Sequence, residues 1–173
     1  MKKASFILKL ISFFIILWSG FSQSAPTTEN RIKAIIVYKI SRFTSWPNKE
    51  KDLNICTIAS KNFNQAMQKV ISSLKQINKT KLIEVEENKI KENQCNILYM
   101  ESGKVKDPSL IINKVNSYSI LTISDIKGFA KSGGVIELYK EKNKVKFSIN
   151  ITQKEKSNLI ISSKLLTLAK IVK

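Results

Sequence analysis

Short apolar runs typical of buried strands alternate with amphipathic patterns typical of helices along most of this chain. Strand-like runs lie at 53–59, 82–85, 96–100 and 119–124, and helical spacing of apolar residues lies at 32–43, 63–74 and 108–115. Runs of this length, separated by helical segments, are typical of strands joined by helical crossovers. The alternation therefore predicts an α/β fold whose mainly parallel sheet is flanked by helices on both faces.

The C-terminal part of the chain has a different pattern. Two strand-like runs at 135–139 and 145–149 flank a polar turn, and in the second run apolar and polar residues alternate. This alternation predicts a C-terminal antiparallel hairpin with one buried face. After it, Ser162 or Ser163 can cap a final helix. The residues at helical spacing that we expect to face the core from that helix are Leu165, Leu168, Ala169 and Val172.

The first 25 residues have the pattern of a cleaved secretory signal peptide. Lys2 and Lys3 precede an apolar stretch, and small residues follow it up to Ala25. The alternative is an uncleaved membrane anchor, but the uncharged apolar run is about a dozen residues and a spanning helix needs about 20. We therefore expect export, cleavage at 22–25, no membrane span afterwards, and a single α/β domain over residues 26–173.

Lysine dominates the charge of the chain. The full sequence has a net charge of +17, and loss of the lysines in the leader lowers it to about +14. A polyanionic partner is one reading of this balance. However, only Arg31 and Arg42 are arginines, and phosphate and base recognition favours arginine. The lysines are also scattered, so we expect no nucleic-acid partner.

Cys56 and Cys95 are the two cysteines of the chain. An exported chain meets an oxidising compartment, where a pair of cysteines usually forms a disulfide. Two buried free thiols are the alternative. The pair is too small a ligand set for a structural zinc site, so we expect no metal.

The chain contains no histidine. Its absence excludes the usual serine and cysteine nucleophile systems, which need an imidazole base. The sequence also lacks a phosphate-binding loop and a dinucleotide fingerprint. We therefore expect a binding protein without a cofactor and not an enzyme.

Two segments are candidate binding sites. In the first, Arg42 and Trp46 belong to residue types that dominate protein–protein hot spots, and Phe43 lies beside them. Trp46 can equally cover the edge of the core, and for Phe43 the sequence favours that core role over partner contact. The second is a glycine-rich segment that follows the strand-like run at 119–124. Its predicted partner contacts are Phe129, if it is exposed, and Lys131, and its predicted anion-binding residues are Lys127, Ser132, Gly133 and Gly134. The alternative for this segment is a turn in which glycine only permits positive φ.

In these segments the chain resembles the YfiR-like family of periplasmic proteins. The strongest match is Leu-Thr-Ile-Ser-Asp at 121–125, which continues through Gly-Phe-Ala at 128–130 and Gly-Gly-Val-Ile at 133–136. Further matching segments, in the same order as in the family, are 43–47, 53–56, 95–99, 145–150, Leu159 and 162–166.

The resemblance implies a compact α/β regulator without catalytic activity. Its best-understood member binds the periplasmic domain of an inner-membrane diguanylate cyclase and represses it, which limits cyclic-di-GMP and biofilm formation. The resemblance also implies a bridge between Cys56 and Cys95 and a possible homodimer. Some members have a second bridge near the glycine-rich segment, where this chain has no cysteine.

Overall fold

The computed structural model of this protein describes residues 26–47, 52–73, 79–90 and 95–173. The predicted leader at 1–25, most of the charged turn after Pro47, and Leu74 of the predicted second helix lie outside the described residues. The elements are α1 Thr28–Ser41, β1 Thr44–Ser45, β2 Leu53–Ile58, α2 Lys61–Ser73, β3 Thr80–Glu84, β4 Ile97–Met100, α3 Pro108–Val115, β5 Leu121–Ser124, β6 Ile136–Glu141, β7 Lys144–Asn150, α4 Ile151–Lys156, β8 Ile160–Ile161, α5 Ser163–Leu166 and β9 Lys170–Val172.

A seven-stranded sheet forms the centre of the fold, in the order β3-β2-β4-β5-β6-β7-β9. The first five strands of this order run parallel to one another, β7 turns back antiparallel to β6, and β9 runs parallel to β7. This arrangement confirms the predicted mainly parallel sheet and its C-terminal antiparallel hairpin.

Helices cover both faces of this sheet. Along β4, Ile97 and Tyr99 belong to the core that α1 and α2 cover, whereas Leu98 and Met100 belong to the core beneath α3. All four residues are fully buried. A strand that is buried on both faces has a continuous apolar run, which is why the sequence pattern predicted this strand.

Side-chain caps determine where the helices begin. The hydroxyl of Thr27 accepts a hydrogen bond from the Asn30 amide at the start of α1. Asp107 accepts hydrogen bonds from two amides at the start of α3, where Pro108 occupies the first turn as predicted. Ser162 caps α5, also as predicted.

The C-terminal region is where the structure departs most from the sequence prediction. The final helix is present, but α5 is a single turn, and the chain then forms β9 on the edge of the sheet. Leu165 is buried as expected, whereas Leu168 is 75% exposed and Val172 lies in a strand. Ala169 packs against the core as expected, although it lies outside the helix. The expectation of one helix that turns all four residues towards the core is wrong beyond Leu166, because pairing with β7 replaces the helix.

A disulfide joins Cys56 in β2 to Cys95, just before β4. Both cysteines are buried against the core beneath α3, with exposures of 0% and 6%. The predicted bridge is thus confirmed.

Candidate functional site

The two segments predicted to bind partners lie at opposite edges of the sheet. The Trp46 indole donates a hydrogen bond from Nε1 to the carbonyl of Asn96, 3.1 Å away, at the amino end of β4. Lys127 and Lys131 instead follow the carboxyl end of β5. A four-residue strand spans about 13 Å. The structure therefore separates the predicted residues into two surfaces.

At the amino edge, β1 and β8 form a small antiparallel ribbon. Thr44 pairs with Ile161, and both are buried, whereas Ser45 pairs with Ile160 on the outer side. Because side chains alternate along a strand, Phe43 lies on the same outer side as Ile160. Phe43 is 40% exposed and Ile160 is 66% exposed, so both present apolar surface to solvent.

We define the amino-edge surface as Arg42, Phe43, Trp46 and Ile160. Arg42 is exposed, and Trp46 is half-buried against the core. The hydrogen bond from Trp46 to Asn96 holds the indole at the core edge, which is the alternative role that the sequence allowed. Ile160 was not predicted, because a two-residue strand has no detectable periodicity.

Phe129 corrects one prediction from the sequence. Its side chain is only 1% exposed and lies in the core beneath α3. It therefore stabilises the glycine-rich segment from within and has no exposed surface for a partner. Lys131, predicted with it, is exposed.

The glycine-rich segment is a turn with its own hydrogen bonds. The amide of Gly134 donates to the Phe129 carbonyl at 2.9 Å, and the amide of Ser132 donates to the Gly128 carbonyl at 3.0 Å. Gly133 has a φ of 99°, which favours glycine. Two of the amides expected to bind an anion are therefore already engaged, so the nest of Ser132, Gly133 and Gly134 stays a prediction without structural support.

A crevice of about 550 Å³ opens beyond the carboxyl end of β5. We call it the carboxyl-edge crevice. The charged side chains that line it are Glu29, Lys33, Asp125, Lys127, Lys131, Glu137, Lys140 and Lys170. Lys127 and Lys131 were predicted as binding residues, whereas the others come from distant parts of the chain that only the fold brings together.

Lys33 lies at the centre of an ion-pair network in this crevice. Its Nζ is 2.7 Å from Asp125 Oδ2 and 2.7 Å from Glu29 Oε1. Burial disfavours the charged amine, but its hydrogen bonds to the two carboxylates outweigh burial and raise the pKa of Lys33. The hydrogen bond from Lys33 lowers the pKa of Glu29. The Ser102 amide also donates to Asp125, at 2.6 Å.

The third carboxylate of the crevice, that of Glu137, holds the glycine-rich segment. Its Oε1 accepts a hydrogen bond from the Gly128 amide at 2.9 Å, and its Oε2 accepts one from the Ala130 amide at 3.2 Å. Each of the three carboxylates therefore already has partners within the chain. By contrast, Lys127, Lys131 and Lys170 form no ion pair with any described residue.

Tyr99 lies in the core beneath α1 and α2, near this network, with its ring stacked on Phe63 at a centroid distance of 3.9 Å. Burial, and after it the negative charge of Asp125, raises the pKa of the Tyr99 phenol. A phenol that is harder to ionise serves packing better than proton transfer. Among the described residues, no group of three acidic or cysteine side chains could hold a metal ion.

Comparison with known proteins places the chain in a family. The sequence model of the family described as YfiR/HmsC-like matches residues 30–170. A crystal structure described as a conserved domain protein from Vibrio cholerae superposes with a TM-score of 0.55 at 10% identity, over 83% of this chain and 60% of that one. At this identity the likeness shows the fold alone, and the present chain spans less than two thirds of that protein. A comparison of this sequence with curated proteins found no match. None of the helices in the described part of the chain is long and apolar enough to cross a membrane.

Proposed function

The chain belongs to the YfiR/HmsC-like family, and on this premise we propose that it is a periplasmic regulator that binds the periplasmic domain of an inner-membrane sensor. The sensor that the family resemblance favours is a diguanylate cyclase, which the bound regulator would hold inactive. The chain would then act through binding and not through catalysis.

The amino-edge surface is the observation that supports this proposal most directly. Phe43, which directly precedes β1, and Ile160 of β8 are both exposed at the β1–β8 ribbon, and Arg42 precedes Phe43. Arg42 and the nearby Trp46 belong to residue types that are enriched in binding hot spots, and Phe43 and Ile160 add exposed apolar surface beside them. Burial of these two apolar side chains against a partner would contribute about 1–2 kcal/mol each.

Repression follows if the surface binds one conformation of the sensor more tightly than the other. A ligand shifts a conformational equilibrium only by its difference in affinity for the two states. A regulator that binds the inactive sensor a hundredfold more tightly than the active sensor would shift the equilibrium between these two states by about 2.7 kcal/mol. Release of the regulator would then raise cyclic-di-GMP.

The disulfide supports a location outside the cytosol. The Cys56–Cys95 bridge needs an oxidising compartment to form and persist. The leader pattern of the first 25 residues points to the same compartment. Fractionation of cells followed by non-reducing mass spectrometry tests both points, and a full-length cytosolic chain with free thiols would contradict them.

The test of function is the variant Phe43→Ala combined with Ile160→Ala. We expect it to lose pull-down of the membrane sensor and to raise cyclic-di-GMP as much as deletion of the gene does. Leu110→Ala is the matched control, because Leu110 is 68% exposed on α3, away from the amino-edge surface. Unchanged cyclic-di-GMP and unchanged pull-down in the double variant would contradict the proposal.

A small-ligand or anion-binding module is the second candidate. Lys127 and Lys131 lie in the carboxyl-edge crevice without acidic partners among the described residues, which favours an anion there. A thermal-shift screen with nucleotides and phosphates tests this function, because a ligand bound only by the folded state raises the melting temperature. A flat response would remove the second candidate.

A further inference from the structure

Three side chains form a row across the last strands of the sheet, in the lining of the carboxyl-edge crevice. Ser148 of β7 is the register partner of Glu137 in β6 on one side and of Lys170 in β9 on the other. Register partners point to the same face of a sheet, and neighbouring strands lie about 4.8 Å apart. All three residues line the crevice. Ser148 therefore lies between a carboxylate and a lysine on one face.

The Ser148 hydroxyl is buried without a partner. The residue is only 4% exposed, and its hydroxyl forms no hydrogen bond with any group that the structure describes. The buried hydroxyls of Thr57, Ser124 and Ser157 each donate to an oxygen 2.7–3.0 Å away. Buried polar groups of native proteins usually have a partner, and one that lacks it needs an explanation. Because this hydroxyl lines a crevice, a bound ligand is that explanation.

The glycine-rich segment brings a second lysine to the same face. Both oxygens of Glu137 accept hydrogen bonds from amides of this segment, those of Gly128 and Ala130, so the segment lies over the face of the row. Lys131 directly follows Ala130 and also lines the crevice. Two amides already stabilise the charge of Glu137, whereas Lys131 and Lys170 form no ion pair with any residue the structure describes. The site therefore favours an anion.

The surroundings of the row indicate the kind of anion. Tyr139 lies two residues after Glu137, and Val172 lies two residues after Lys170, so both share the face of the row. Both are half-buried and line the crevice, and they offer contact to a carbon skeleton. Lysine binds phosphate as a point charge, whereas planar carboxylates favour the bidentate fork of arginine. No arginine is among the described residues that line the crevice.

We propose that Lys131, Ser148 and Lys170 bind the phosphate group of a small, soluble phosphate monoester. The Ser148 hydroxyl donates to a phosphate oxygen, and the two lysines neutralise the charge. Tyr139 and Val172 contact the organic part of the ester. The proposal rests on the second candidate function, an anion-binding module, and gives that module a site and a ligand class. It does not depend on the amino-edge surface.

Titration calorimetry of the full mature chain with phenyl phosphate tests the ligand class. We expect phenyl phosphate to bind more tightly than inorganic phosphate, and Tyr139→Ala to remove this preference. Benzoate, which has the same ring but a carboxylate, should bind roughly tenfold more weakly than phenyl phosphate. Equal binding of benzoate and phenyl phosphate would overturn the choice of a phosphate.

Ser148→Ala separates a ligand-binding hydroxyl from a structural one. Because the hydroxyl has no partner in the free protein, its loss should leave the urea midpoint unchanged or higher. The affinity for phenyl phosphate should fall roughly tenfold, because a hydrogen bond to a charged group is lost. Wild-type affinity in Ser148→Ala would overturn the proposal.

Lysine variants locate the site within the crevice. Lys131→Gln with Lys170→Gln should weaken phenyl phosphate by roughly tenfold or more. Lys61→Gln with Lys69→Gln makes the same charge change on exposed positions of α2 and serves as the control.

The remaining outcomes separate this site from the anion-binding module as a whole. Lys140 lines the crevice three residues after Glu137, and so on the opposite face of the sheet. If Lys140→Gln abolishes binding and Ser148→Ala does not, the module stands and this site fails. If no phosphate compound binds, both fail. Binding to vesicles that contain phosphatidic acid, without binding of phenyl phosphate, would assign the site to a lipid surface and overturn the proposal.

Discussion

The ring of Phe129 occupies the space that a side chain at position 134 would need. A Cβ built on Gly134 would overlap Cε1 and Cδ1 of that ring, and the Gly134 amide donates to the Phe129 carbonyl at 2.9 Å. The two residues thus lock the glycine-rich segment onto the core beneath α3. This glycine is required by a close approach, whereas Gly133 is required by its positive φ.

Gly134→Ala should therefore destabilise the fold. A methyl group against a fully buried ring forces the ring or the turn to shift, which costs about 3 kcal/mol. Gly103→Ala is the control, because Gly103 has a φ of 76° but open space around it. Gly103→Ala should destabilise the fold only through the positive φ at this position, by about 1 kcal/mol. Urea unfolding measures both, and equal losses would contradict the steric explanation.

The disulfide should contribute a large share of the stability. The Cys56–Cys95 bridge spans 39 residues of sequence, and a loop of this length stabilises the folded state by about 4 kcal/mol in the chain-entropy model. We expect Cys56→Ala with Cys95→Ala to lose about this amount in urea unfolding. Reduced wild-type protein should lose a similar amount. Equal stability of the oxidised and reduced chains would show that the cross-link contributes nothing.

Periodicity predicted the elements that are long enough to show a period and missed the shortest ones. The strand at Ile97–Met100 is buried on both faces, so its residues are apolar in sequence. The two-residue strands β1 and β8 and the short helix α4 have too few residues to show a period. Leu168 shares helical spacing with Leu165 yet is exposed, because the chain leaves the helix to pair with β7.

Only part of the carboxyl-edge crevice could be predicted, because most of its residues are distant from one another in sequence. Lys127 and Lys131 stood out because they follow a strand in a glycine-rich segment, and ligands of open α/β sheets bind at such ends. Lys33 and Lys170 reach the crevice from opposite ends of the chain. No local pattern marks such residues, since only the tertiary fold makes them neighbours.

The Lys33–Asp125 pair should make stability depend on pH in the alkaline range. Hydrogen bonds to the carboxylates raise the pKa of Lys33 from its ordinary 10.5. The charged amine therefore stabilises the folded state fully below about pH 10.5, and this stabilisation is lost as the pH rises through the folded-state pKa. Asp125→Asn should cost about 2 kcal/mol at neutral pH and should flatten the loss of stability above about pH 10.5. Urea midpoints across this range measure both effects.

The control for this pair is Asp52→Asn. Asp52 lies 3.6 Å from Lys81, and both side chains are more than 40% exposed. An exposed pair of this kind contributes about 0–1 kcal/mol. We expect Asp52→Asn to leave the alkaline dependence as in the wild type. The same flattening in both variants would assign the effect to net charge and not to the Lys33 network.

Trp46 should contribute to stability and to binding, and two substitutions separate these contributions. Trp46→Phe removes the hydrogen bond to Asn96 but keeps an aromatic ring, so we expect a loss of about 1 kcal/mol. Trp46→Ala also removes the packing against the core and should lose about 2 kcal/mol more. If the ring contacts the sensor, Trp46→Phe should retain sensor pull-down that Trp46→Ala loses. Pull-down at the wild-type level by both variants, at matched folded concentration, would leave the ring a purely structural role.

The Glu137 carboxylate should control how firmly the glycine-rich segment is held. It accepts amide hydrogen bonds from Gly128 and Ala130, and so ties the segment to β6. Glu137→Ala removes both acceptors and should cost about 2 kcal/mol, whereas Glu137→Gln keeps one acceptor and should cost about 1 kcal/mol. Amide exchange at residues 128 and 130 should accelerate in the same order, and exchange in β4 should not change. If both amides exchange at wild-type rates in Glu137→Ala, the turn is held by its own backbone hydrogen bonds and by Phe129.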